Sequence, residues 1–156
     1  MAIRSRRAAR EAVLQVLYAC DALDCWVVAE AERCLDHFQQ HQEVAHEPGG
    51  EHESFARSLL SGVVQHRGEI DEAIARCSTR WSLARMSQVD RNIIRLGAYE
   101  LLHCDDIPRN VSINEAIELA KRFGADDSPT FVNGVLDKAA SLLVPESPDD
   151  KEAVGA

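Results

Sequence analysis

The chain has 156 residues, 46% of them hydrophobic and only 5% aromatic. That is enough for one domain or two small subdomains with a real core, and it favours packed helices over a sheet. No apolar run approaches the roughly 18 residues of a membrane span, and the first residues lack the apolar stretch of a signal peptide, so a cytoplasmic location is expected. The formal net charge is -9, yet Arg4, Arg6, Arg7 and Arg10 stand in the first ten residues with no acid among them.

The first predicted helix runs from about Arg4 to Ala22. Ala9, Ala12, Val13, Val16, Leu17 and Cys20 recur at helical spacing as its apolar stripe. Arg4, Arg7, Glu11, Gln15 and Tyr18 fall on the opposite side, and Arg6 and Arg10 flank the stripe. Guanidinium forks match phosphate oxygens. Gln15 has the chemistry to read a base edge and Tyr18 to stack on a base. A basic patch on an acidic chain is the electrostatic footprint of nucleic-acid binding, and the tyrosine favours a single strand. The competing reading is a solvated, frayed terminus.

A second helix is predicted from Trp26 to about Gln42, with Val27, Ala31, Cys34, Leu35 and Phe38 as its apolar positions. His46 to Glu51 reads as a polar loop punctuated by Pro48, Gly49 and Gly50. A third helix follows from about Ser54 to His66. Gly68 is read as a chain break, and a fourth helical segment as Glu69 to Ser78. Trp81, Leu83 and Met86 form an apolar connector, where a subdomain boundary near residues 80 and 81 is placed.

The fifth helix runs from Ser87 to about Cys104. Ser87 is its N-cap and Asp90 the charge favoured at a positive helix end. Asp105, Asp106, Ile107 and Pro108 stop it. Ser112 and Glu115 read as a capping box opening the sixth helix, and Gly124 as its C-terminal cap. Ser128 is read as the cap of the last helix, with Pro129 in its first turn. The tail 144–156 is rich in proline and acid and is expected to be disordered.

Two constellations outside the first helix bear on function. Cys34, His37 and His41 lie on one helical face, but a fourth ligand is not apparent on a single short helix, so no metal is expected. The five cysteines are odd in number and contain no C-x-x-C pair, which speaks against a disulfide framework. The segment from Lys121 to Phe131 places Lys121, Arg122, Phe123 and Phe131 beside a helix N-terminus, a place that accepts phosphate. Periodicity alone assigns Phe131 to the core and Asp127 to capping. No glycine-rich phosphate loop, nucleophile elbow or zincin motif appears, and neither catalysis nor a cofactor is expected.

Taken together, the N-terminal RRAAREAVLQVLY, the central VDRNIIRLGAYELL and the C-terminal INEAIELAKRFGADDSPTFVNGVLDKAA resemble the NusB family of bacterial transcription antitermination factors, over Arg6 to about Ala140. The resemblance implies an all-α fold of about seven helices in two three-helix subdomains. It implies pairing with NusE, a small-subunit ribosomal protein. It also implies binding to the boxA element of nascent RNA, and action on the RNA polymerase antitermination complex in ribosomal RNA operons. Arg6, Arg7, Arg10, Gln15 and Tyr18 match the family's RNA-contacting first helix. Asp127 and Phe131 match the other end of its RNA surface, which reverses the core reading of Phe131. Asp90 matches a position near the NusE-facing surface. Ala8 departs from the arginine-richest members, and Gln42 to Ser54 has no clear family pattern. Both monomers and homodimers occur in the family.

Two other classes compete. A NusB-like helical domain also precedes ribosomal RNA cytosine methyltransferases, but the chain is too short to add a Rossmann-type domain. A purely structural helical protein would leave the arginines from Arg4 to Arg10 unused.

Overall fold

The structure is a computed structural model that describes residues 3–40 and 50–144. Seven α-helices and one short 3-10 turn account for its regular structure, with no strand among the described residues. None of these helices is long and apolar enough to cross a membrane. The chain forms two compact units, dividing after His66.

The first unit holds α1 (Arg6–Leu23), α2 (Val28–Gln40) and α3 (Glu51–Gln65). Every apolar position predicted for the first helix is buried, with Ala9, Val13 and Leu17 fully so. They meet Leu35 of α2 and Leu59, Leu60 and Val63 of α3 in a continuous core. Each such leucine removes enough apolar surface to contribute about 1.5–3 kcal/mol. The helix begins later than expected because Ser5 caps it, its Oγ accepting from the Ala8 N–H at 3.0 Å. Arg4 therefore precedes the helix. The segment predicted to continue α2 beyond residue 40, with His41 and the Pro48 to Gly49 loop, lies outside the described residues, as does the tail from residue 145.

The second unit holds α4 (Arg67–Cys77), a 3-10 turn (Leu83–Arg85), α5 (Gln88–His103), α6 (Arg109–Phe123) and α7 (Ser128–Leu143). The division falls earlier than the expected boundary near residue 80. Ile70, Ala73, Ile74 and Cys77 bury the face of α4 that packs on α5 and α7, which makes a three-helix and a four-helix unit. Gly68 does not break the chain. It is the second residue of α4, where the helix does not yet need its N–H in a bond.

Three polar details differ from the sequence reading. The sixth helix starts a turn early, with Pro108 as its N-cap. Ser112 is not a cap: its hydroxyl donates to the buried Glu100 carboxylate at 3.1 Å. Asp127, not Ser128, holds the N-cap position of α7, and its side chain makes no capping bond. Ser128 Oγ instead accepts from the Ala125 N–H at 2.9 Å.

Gly124 ends α6 in an extended conformation with φ -92, not a left-handed one. Close approach explains the glycine. A Cβ there would sit 2.6 Å from the Ser128 side chain and 2.8 Å from the Ala120 carbonyl. Gly124→Ala is expected to cost about 1–3 kcal/mol through overpacking. Urea denaturation would measure it, and an unchanged midpoint would show that the connection gives way freely.

Asn92, Arg95 and Glu100 are buried on α5. Arg95 donates Nε to Asp71 Oδ1 at 2.8 Å and Nη2 to Asp71 Oδ2 at 3.1 Å, which ties α4 to α5. Its Nη1 reaches Asn92 Oδ1 at 3.1 Å, and Asn92 Nδ2 donates to the Gln88 carbonyl at 2.8 Å. The buried charge is thereby answered by two oxygens of one carboxylate and by an amide, as burial requires.

Candidate nucleic-acid interface

The solvent face of α1 is the one the periodicity predicts. Arg7, Gln15 and Tyr18 are exposed, Tyr18 by 46%, and Glu11 between them is half-buried. Arg4 and Arg6 are exposed at the amino end. The first turn of α1 has no acid. Arginines at a positive helix end oppose the macrodipole, so this sequence concentrates positive potential where helix stability alone would favour aspartate or glutamate. The aligned N–H dipoles of that turn add to the same field, and anions answer both.

Arg10 is a correction. It was expected among the RNA-facing arginines, but it is only 2% exposed. Its guanidinium lies 5.3 Å from the centre of the Phe55 ring of α3, and Arg6 lies over the same ring at 4.4 Å. Phe55 is thus a platform that holds two guanidiniums by cation–π attraction. Sequence reading missed this role. Nothing local links Phe55 to arginines 45 or more residues earlier.

In the second unit, Lys121 is exposed and pairs with Glu118 at 3.2 Å, one turn back on α6. The neighbouring Arg122 guanidinium lies 5.3 Å from the Phe123 ring. Asp127 is exposed at the start of α7, and Phe131 one turn on is half-buried. The half-exposed ring keeps a surface for stacking, which the core reading denied it.

Asp90 lies in the first turn of α5. The Ser87 hydroxyl accepts from its N–H at 3.1 Å, the cap that the sequence predicts. Its Oδ1 is buried and has no hydrogen-bond partner among the described residues. The helix N-terminus stabilises the charge through the field of its N–H groups.

The model of the NusB family matches residues 7–141. The transcription antitermination protein NusB of Geotalea uraniireducens is 48% identical over 139 residues, covering 89% of this chain and 96% of the relative. The solved T. maritima NusB superposes with a TM-score of 0.77 at 35% identity, over 100% of both chains. A structure of the antitermination factors NusB and NusE in complex with dsRNA superposes at 0.75, over 87% of this chain and 96% of that one. At 24% identity it speaks for the fold alone. Family model, sequence relatives and fold coincide over nearly the whole described length, and the chain belongs to the NusB family.

Proposed function

We propose that this chain is a transcription antitermination factor that binds boxA-type single-stranded RNA together with NusE and acts on the RNA polymerase complex in ribosomal RNA operons. It does so in the cytoplasm, as a binding protein without a catalytic step or cofactor. The observation that carries this reading is the exposed face of Arg4, Arg6, Arg7, Gln15 and Tyr18 on an otherwise acidic chain, at the end of a helix that has no acid in its first turn. Arginines there grip phosphates, the amide meets a base edge and the tyrosine stacks. Asp127 and Phe131 are assigned to RNA by the family pattern, and Lys121 by its positive charge beside the start of α7. Arg10 supports the surface from behind through Phe55.

A relative named as an antitermination protein is 48% identical to this chain over 139 residues. A solved relative was captured with NusE and double-stranded RNA. The decisive experiment is a titration with boxA-like RNA, single- and double-stranded, with and without NusE, alongside the solution mass. Tighter binding of the single strand in the presence of NusE supports the proposal. Equal, weak binding of all RNAs in both conditions sinks it. The mass separates monomer from homodimer, since a dimer that buries the arginine face would weaken RNA binding as protein concentration rises.

Asp90 is assigned to the NusE side. Asp90→Lys is expected to weaken the NusE complex while leaving RNA binding by the isolated chain nearly unchanged. Loss of its helix-end charge alone costs under about 1 kcal/mol of stability. Unchanged NusE affinity by calorimetry would remove Asp90 from the interface.

A further inference from the structure

Three metal-type donors meet around the start of α4. His66 is bonded directly to Arg67, the first residue of α4, and its N–H donates to the Gly62 carbonyl at 3.0 Å. Glu69 stands in the first turn of α4. His66 and Glu69 are three residues apart, so their meeting is local. His103 is the last residue of α5, the helix packed against α4. Its Nε2 lies 3.3 Å from Glu69 Oε1. One ligand atom from each of His66, Glu69 and His103 lies within 4.8 Å of the other two.

We propose that His66, Glu69 and His103 form a binding site for a divalent cation of the zinc class, with two imidazoles and one carboxylate as donors and water in the remaining position. This donor set is one that zinc accepts, and imidazole selects zinc and its neighbours over magnesium or calcium. The distances fit. Bonds of about 2.0–2.1 Å in a tetrahedron place neighbouring donors about 3.3–3.4 Å apart. His103 and Glu69 already stand at that separation. The remaining pairs exceed it by at most about 1.4 Å, which a turn of roughly 25° about a histidine Cα–Cβ bond supplies without leaving its staggered well.

The surroundings favour the ion. Both histidines stand at the carboxyl ends of their helices, where the dipole attracts a cation. Tyr99, one turn before His103, stacks on its ring at 5.2 Å and holds its plane. Asp71, the next acid along α4, is taken by Arg67 and Arg95, so Glu69 is the carboxylate that meets the ion. The earlier expectation of no metal was drawn on the α2 face of Cys34, His37 and His41. His103 stands 34 residues beyond Glu69, a spacing that no local motif links. The filled site would tie the start of α4 to the end of α5. None of its three residues is assigned to RNA or NusE, so it stands independently of that reading.

The test uses the full chain, stripped with a chelator, kept in a non-thiol reductant and titrated with Zn²⁺ alone. Calorimetry is expected to show one ion bound per chain, and the imidazole resonances of His66 and His103 should shift with it. The melting temperature should rise with Zn²⁺. His66→Gln, Glu69→Gln and His103→Gln should each weaken affinity beyond the roughly 10–100-fold that loss of even an outer-shell partner produces. Glu69 and His103 are exposed and His66 is half-buried, so these variants leave the core intact. Cys25→Ser with Cys34→Ser should leave Zn²⁺ binding unchanged. No saturable binding, or binding that survives His66→Gln or His103→Gln with the helical content unchanged, overturns the proposal. Binding that is lost with the two thiols instead overturns it as well.

Discussion

Arg95→Ala is expected to destabilise the second unit by about 3 kcal/mol. Removing one partner of a buried ion pair costs about 3–5 kcal/mol, because the other charge stays behind without its partner. The lower end applies here. Asp71 is 20% exposed on its side chain, and Arg67 remains 3.5 Å from its Oδ2. Asn92 also loses the donor to its Oδ1. At roughly 2–4 °C per kcal/mol for a chain of this size, the melting temperature should fall by about 6–12 °C. The paired replacement Arg95→Met with Asp71→Leu removes both charges and should recover most of the loss, since well-packed apolar groups replace such pairs at little cost. A loss below about 1 kcal/mol for Arg95→Ala alone would mean that solvent already screens the pair.

How much of this was legible in the sequence depended on how local the cause was. The outward face of α1 was readable because Arg7, Gln15 and Tyr18 need only the helical repeat to share a side. The Ser87 cap was readable for the same reason, since donor and acceptor stand three residues apart. Readings failed where a partner came from far along the chain. The ring that buries Arg10 belongs to Phe55. The hydroxyl of Ser112 fits the capping pattern but is taken by Glu100 of the preceding helix. The grouping of α4 with α5 and α7 depends on packing that no local composition encodes.

The cysteines show the same limit more sharply. The odd count and missing C-x-x-C pair spoke only against a disulfide framework, whereas Cys20 and Cys25 are brought together by a helix-ending clasp. Asp24 adopts the left-handed backbone that this clasp needs, a place usually held by glycine, so the clasp leaves little local signature. Burial pushes the Cys20 thiol up to about 11, and the neighbouring Cys34 and Cys25 thiols add to the rise. Cys20 alone reads as a small core hydrophobe, which its 6% exposure bears out. Only the fold places two more thiols around it.

Substitutions along α1 should separate phosphate contacts, base contacts and support. Arg7→Ala is expected to weaken all single-stranded RNAs about equally and to flatten the slope of log affinity against log salt by about 0.7, the counterion release per single-strand phosphate. Tyr18→Ala should cost about 1–3 kcal/mol of binding through lost stacking, with little change in that slope. Arg10→Ala should behave differently from Arg7→Ala, because its guanidinium is buried against Phe55. Its main effect should be on stability, and the salt slope should hold. Phe55→Leu removes the ring beneath Arg6 and Arg10 together, so it should weaken RNA binding through disorder of Arg6 without altering the count of phosphates met. Binding isotherms at four or five salt concentrations, read with thermal melts of the same variants, distinguish these cases. If Arg7→Ala leaves affinity and slope untouched, the arginines are a solvated tip. If Arg10→Ala lowers the slope as much as Arg7→Ala does, the buried guanidinium swings out to meet RNA, and the supporting role assigned to Phe55 is wrong.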